Sequence, residues 1–193
     1  MPWEKSFDEE AAVEKAMQVF WEKGFEPASI ADLIEGTGVN RGSLYNAFGG
    51  KKQLFLKALL KYERDNHRAA LSQLEAMDNP KKAITQLFDA IVAETTNDEH
   101  HKGCFLINTA SEIATHDEEV LSIVTNSLRE IEAFFRRCVE VGQARGDIPK
   151  EIDPEATAKT LLALIVAIRV LGRGAFNESA LQTIADQGKR LIA

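Results

Sequence analysis

Two glycines, Gly36 and Gly38, constrain this chain more than any other feature, because they interrupt a helical pattern without ending it. They lie in the run from Ser29 to Lys52, SIADLIEGTGVNRGSLYNAFGGKK. Ser29 is a good N-cap residue, and Ile30, Ala31, Leu33 and Ile34 follow at the intervals of a helix. Glycine tolerates positive φ, so Gly36 and Gly38 are expected to break that helix and reverse the chain tightly. Asn40 then caps a second helix whose apolar side is Leu44, Ala47 and Phe48. Two short helices joined by such a turn form a helix-turn-helix, and the second can lie in the major groove of DNA. It carries Asn40, Arg41, Ser43, Tyr45 and Asn46, whose hydrogen-bonding groups suit base edges and phosphates. The same pattern also occurs in all-α proteins that never meet nucleic acid.

Around this stretch the chain reads as helical nearly throughout. Asp8 caps a first helix with the apolar stripe Ala12, Val13, Ala16, Met17, Phe20 and Trp21, ended by Gly24. The residues before it, Met1–Phe7, are expected to be a poorly ordered arm, in which Lys5 is offset by Glu4 and Trp3 is loosely packed. A long helix starts near Gly50, with Leu54, Phe55, Ala58, Leu59 and Tyr62 on its buried side. Its positive N-terminal end, beside Lys51 and Lys52, is a candidate phosphate site. Asn79 and Pro80 start another helix, followed by a loop over Thr95–Lys102, where His100 and His101 are expected to be solvated rather than metal-bound. Asp117 caps a long helix that ends near Gly146 and buries Cys138 as packing. Asp153 and Pro154 start the next, and Asn177 caps the last.

The segment LLALIVAIRVLG in the penultimate helix is apolar nearly all round, so it must be buried nearly all round. The final helix covers only part of it. A two-fold partner supplying the same two helices would complete a four-helix interface, with Arg169 and Arg173 at its rim or Arg169 in a pocket.

The net charge of −7 does not exclude DNA, because contact depends on local patches. From Arg41 to Arg68 the basic residues Arg41, Lys51, Lys52, Lys57, Lys61, Arg64 and Arg68 face only Glu63 and Asp65 in sequence. A basic strip is therefore expected. Cys104 and Cys138 form neither a disulfide framework nor a metal-ligand pair. The start of the chain has no apolar core of a signal peptide, and the run Leu161–Ile168 is far shorter than the roughly 18 residues of a membrane span. A soluble cytoplasmic protein without membrane contact is expected.

Two segments resemble a known family. VFWEKGFEPASIADLIEGTGV and SLYNAFGGKKQLF are similar to the reading head of TetR-family transcriptional regulators. Leu44, Tyr45, Phe48, Lys51 and Leu54 match the pattern, whereas Ala47 and Gly50 replace its usual His and Ser. GCFLINTASEIATHDEEV resembles the segment opening the sixth helix in one subgroup. The resemblance implies an all-α fold, with a three-helix DNA-binding head over residues 1–52 and a larger ligand-binding and dimerisation body over residues 53–193. It implies double-stranded operator DNA, a small-molecule effector and a homodimer through the two C-terminal helices, with no enzyme activity, cofactor or metal. The long helix after the head would link effector occupancy to the separation of the two heads.

On this basis Asn40, Arg41, Ser43, Tyr45, Asn46 and Lys51 are candidates for DNA contact. Cys104, Phe105, Asn108 and Glu112 are candidates for the ligand site, with Thr109, Ala110 and Ile113 also expected inward. Glu112 and His116 are one turn apart, but two ligands make a poor metal site and no nucleophile accompanies them. Cys104 is either a small buried hydrophobe or a sensing thiol made acidic by its place at a helix start near His101 and Lys102. Two alternatives stay open beside the regulator: a helical small-molecule-binding module without DNA binding, and a thiol-based sensor acting through Cys104.

Overall fold

Seven of the helices start where a short polar side chain takes over an unpaired backbone N–H. In the computed structural model, which describes residues 7–112 and 117–193, Asp8, Ser29, Asn40, Asn79, Asp117, Asp153 and Asn177 all accept such hydrogen bonds. The helices are α1 (Glu9–Lys23), α2 (Ile30–Thr37), α3 (Arg41–Phe48), α4 (Lys51–Tyr62), α5 (Ala69–Glu75), α6 (Pro80–Thr96), α7 (Phe105–Ser111), α8 (Glu118–Arg145), α9 (Pro154–Leu171) and α10 (Glu178–Arg190). No strand occurs among the described residues. The expected arm with Trp3, Glu4 and Lys5, and the expected positions of Ile113 and His116, lie outside them.

The first core joins α1–α4 with α7 and the start of α8, through Phe20, Leu33, Leu44, Leu54, Phe55, Phe105 and Val124. Phe55 meets Phe20 and Phe105 edge-on, with ring centroids 5.1 and 5.6 Å apart. The second core is built by α6, α8, α9 and α10 around Phe88, Phe134, Phe135, Leu161, Ile168 and Leu181. α7 therefore sits between head and body, packing against α4 on one side and α8 and α9 on the other.

Three expectations change. Gly36 lies inside α2 and does not break it. A Cβ there would sit 2.4 Å from Val19 Cγ2, so Gly36 lets α1 and α2 approach, and Gly38 alone makes the turn, at φ 73°. α6 includes Thr95 and Thr96, so the loop begins at Asn97. Most informative is the long helix after the head: between α4 and α5 it passes through a π-helical stretch, Glu63–Arg68. Apolar periodicity does not reveal that stretch, because its residues are mostly polar.

On α9, Leu161, Ile165 and Ile168 are buried, Leu162, Leu164, Val166 and Ala167 are half-buried, and Ala163 and Val170 are exposed. The protomer therefore covers one side of this helix only. No helix among the described residues is long and apolar enough to cross a membrane.

Candidate DNA-reading helix and body cavity

α3 is held by Leu44 and Phe48, both buried, and turns Arg41, Tyr45 and Asn46 to the surface. Asn40 Oδ1 accepts from Ser43 N at 2.9 Å, so its carbonyl oxygen is committed to the cap and Ser43 is half-buried behind it. The Arg41 guanidinium lies over the Tyr45 ring at 5.6 Å. Among the described residues no carboxylate pairs with it.

The expected basic strip is largely neutralised by the chain's own carboxylates. Lys52 pairs with Asp117 and Glu119 at the start of α8, and Lys61 with Glu10, Glu14 and Asp65. Arg64 pairs with Glu10 and Asp65, and Arg68 with Glu63 and Glu130. Acids distant in sequence fold back onto the strip, which a count along the chain cannot reveal. Lys51 Nζ donates to the carbonyl of Glu26 at 3.1 Å and lies 4.6 Å from the Phe25 ring centroid. Beside it, Gly50 supplies no side-chain cap, so the first N–H groups of α4 stay open to an anion.

The body holds a cavity of about 710 Å³, within the usual range of roughly 300–1,000 Å³ for small-molecule sites. Its walls are apolar, with Leu71, Leu74, Met77, Leu87, Ile131 and Ile165 among them. One end is polar and carries Trp21, Tyr62, His67, Cys104 and Arg169. Tyr62 Oη donates to Cys104 Sγ at 3.5 Å, and His67 Nε2 lies 3.6 Å from the same sulfur. Arg169 Nη1 donates to Thr95 Oγ1 at 3.3 Å, and its other terminal nitrogen pairs with Glu94. Arg169 thus faces the cavity rather than an outer rim, a correction to the first of its two expected places.

Burial alone pushes the Cys104 thiol up, but the hydrogen bond and charge of His67, helped by Arg169 and Tyr62, outweigh it and bring the thiol down to about 7. Burial, with Cys104 beside it, pushes the Tyr62 phenol up. The expected acidifying neighbours are not the ones found. His101 is exposed with φ 51°, and Lys102 lies over the Trp21 ring at 5.6 Å and pairs with Glu22. Cys138 is packed in the second core, and burial pushes its thiol up to about 11.

Of the four candidate ligand residues, only Cys104 lines this cavity. Phe105 points into the first core against Phe55 and Tyr62. Asn108 and Glu112 border a separate cleft of about 80 Å³, with Gly24 and Arg173. There Asn108 Nδ2 donates to the Lys102 carbonyl at 2.7 Å, and Arg173 Nη1 donates to Asn108 Oδ1 at 3.2 Å. Thr109 is buried and Ala110 half-buried. Sequence reasoning missed Trp21, which read as core, and His67, whose direction depends on the π-helical stretch. No group of three metal-binding side chains occurs among the described residues.

Residues 12–58 match the family model for bacterial regulatory proteins of the tetR family, and residues 80–186 match the tetracyclin repressor-like C-terminal domain. The chain is 33% identical to the uncharacterized HTH-type transcriptional regulator YezE of Bacillus subtilis (strain 168), over 81% of each chain. It is 31% identical to the HTH-type transcriptional repressor ComR of Escherichia coli (strain K12), over 97% of this chain and 90% of that one. A cysteine mutant of the regulator CifR, solved with a 26-bp double-strand operator DNA, has a TM-score of 0.84 at 28% identity, covering 97% of this chain and 98% of its own. The reduced form of E. coli NemR, at 18% identity and TM-score 0.86, shares the fold.

Proposed function

This chain belongs to the TetR family of DNA-binding transcriptional regulators, and we propose that it is a repressor that leaves its operator when a small molecule fills the body cavity. The observation that carries this reading is one continuous rod. α4 begins in the head at Lys51 and ends at Tyr62, on the cavity wall. That span is roughly 17 Å at 1.5 Å per residue. Occupancy at one end therefore bears on the tilt of the reading head at the other. An effector displaces this equilibrium only by binding the tilted state more tightly.

In this reading the head of residues 1–52 docks α3 in the major groove, and the body of residues 53–193 binds effector and partner. Arg41, Tyr45 and Asn46 meet bases and phosphates, Asn40 and Ser43 hold the helix start against the groove, and Lys51 joins the open N–H groups of α4 on a phosphate. Cys104 contacts the effector. Phe105, Asn108 and Glu112 carry its effect from α7 to the head. Two protomers associate through α9 and α10, which sets their reading helices about 34–36 Å apart, one turn of DNA. The repressor name of ComR and the operator complex of CifR support the DNA partner and the sense of regulation. The protein works in the cytoplasm and has no catalytic step.

The test is fluorescence anisotropy with duplex DNA from upstream of the protein's own gene, repeated at several salt concentrations. Affinity is expected to fall linearly on a log–log plot as salt rises. Arg41→Ala is expected to weaken binding by about tenfold or more, the size of one good base contact at roughly 1–3 kcal/mol. Binding insensitive to salt and to Arg41→Ala would leave only a small-molecule-binding module.

A further inference from the structure

We propose that Cys104, with His67 and Tyr62, is a covalent modification site for soft carbon electrophiles of the α,β-unsaturated carbonyl class, an inference that rests on reading the cavity as the effector site. The cluster depends on an irregularity of the backbone. Residues five apart in an α-helix point roughly 140° away from one another. In a π-helix the i and i+5 residues are instead joined by the backbone hydrogen bond and share a side. The stretch Glu63–Arg68 therefore brings Tyr62 and His67 onto one side, ring centroids 5.3 Å apart, and both reach the same sulfur. Cys104 sits at the N-cap of α7 yet makes no capping hydrogen bond, so its sulfur has no structural duty there.

Two further observations point to a guest. Trp21 Nε1 and His67 Nδ1 are buried without a hydrogen-bond partner, and both residues line the cavity. An indole N–H is a donor only, so it fits an acceptor such as a carbonyl oxygen. Leu71, Leu74, Met77, Leu87, Ile131 and Ile165 fit the hydrocarbon part of such a guest, with Gln73 and Gln86 also on the wall. The charged and titratable groups that reach this space beside Cys104 are Tyr62 on α4, His67 on the π-helical stretch, Glu94 on α6, Asp98 and Lys102 on the loop before α7, and Arg169 on α9, whereas α1, α5, α7 and α8 line it with uncharged side chains. Of these, His67 leads and Arg169 and Tyr62 assist in acidifying the thiol.

The chemistry is an addition. His67 takes the thiol proton, and the sulfur lone pair forms a C–S bond to the β-carbon of the electrophile. The C=C π pair moves to the α-carbon through the enolate, where the imidazolium returns the proton. S–H has then added across C=C, nothing leaves and no redox partner is required. Cys138, packed in the second core, serves as an internal control.

The experiment monitors alkylation of the full-length protein by methyl vinyl ketone, using intact mass and peptide mapping between pH 5.5 and 9. Cys104 is expected to react first, with a rate inflection near 7 that moves up in His67→Gln. At pH 7 the His67→Gln rate should fall by about five- to tenfold, since a more acidic thiol gains thiolate but loses some nucleophilicity. Tyr62→Phe, which keeps the ring packing, should show a smaller fall. Reaction first at Cys138, or a Cys104 profile typical of an ordinary thiol and indifferent to His67→Gln, overturns the site. The alkylated protein is then tested on its operator, with Cys104→Ser as control. Loss of binding in the wild type alone supports the whole chain of inference. Rapid alkylation with operator binding intact would keep the modification site and overturn the effector reading instead.

Discussion

Asp32 illustrates how much of the head depends on single side chains. Its carboxylate accepts from Ser29 N at 2.8 Å while its own N–H donates to Ser29 Oγ at 3.1 Å, a reciprocal cap on α2. Lys23 Nζ, from the end of α1, donates to the same carboxylate at 2.5 Å. The Lys23 hydrogen bond first, and those from Ser29 next, hold the Asp32 carboxyl well below the usual carboxylate range. A group depressed in the folded state contributes stability above its unfolded value and loses it as pH falls toward the folded one. Asp32→Asn is therefore expected to lower the urea midpoint at pH 7, and the gap to wild type should close progressively below about pH 4. A gap that persists unchanged to pH 2 would show that the ionised cap contributes nothing. The two glycines of the head show the opposite limit of sequence reading. Gly38 needs positive φ and Gly36 needs clearance against Val19, yet the letters are the same.

At the scale of elements, the rod from α4 through the π-helical stretch to α5 links the two cores. Its first end is fixed by Leu54, Phe55 and Leu59 in the first core, and its far end by Leu74 in the second. A π-helical stretch amounts to one residue too many for an α-helix, accommodated without rotating the downstream helix away from its neighbours. Deleting Asp65, an exposed residue whose ion pairs among the described residues are with Lys61 and Arg64, should convert the stretch to α-helix. Tyr62 and His67 would then be four apart, within about 40° on one face. The deletion variant is expected to fold with unchanged far-UV circular dichroism and to keep its reactive Cys104. Unfolding, or loss of that reactivity, would mean that the stretch does more than carry an extra residue. The helix starts offer a simpler lesson: every polar cap expected from Asp8 to Asn177 is where a helix begins, because capping needs only neighbours within three residues.

For the whole molecule, the decisive matter of geometry is what covers α9. Ala163 and Val170 remain exposed on a helix whose other side is fully buried, and a two-fold partner offering the same surface would bury them. In the proposed dimer, Val170→Asp would place a charge on that surface from each protomer, where it would have to be desolvated. The variant is expected to sediment as a monomer with helix content intact, and to lose operator binding because one head alone lacks the second half-site. A dimeric Val170→Asp protein with normal operator affinity would move the interface elsewhere. Charge distribution is also decided at this scale. The ion pairs of Lys52 with Asp117 and of Lys102 with Glu22 fasten head to body, which withdraws those cations from any contact with DNA.

What the sequence determined by itself is local: the helices, their caps, the reading pair and the segments by which the family is legible. Spacing of apolar residues and a polar side chain at each start are sufficient for that, since both act within one or two turns. Tertiary structure alone decided which acids neutralise the basic strip, that Arg169 turns inward, and that Cys104 rather than Asn108 meets the large cavity. It also decided the acidity of Cys104, which depends on residues 62, 67 and 169 arriving at one sulfur from separate parts of the chain. Proton affinity and cavity shape depend on distances through space, and packing sets those distances only after the helices have formed.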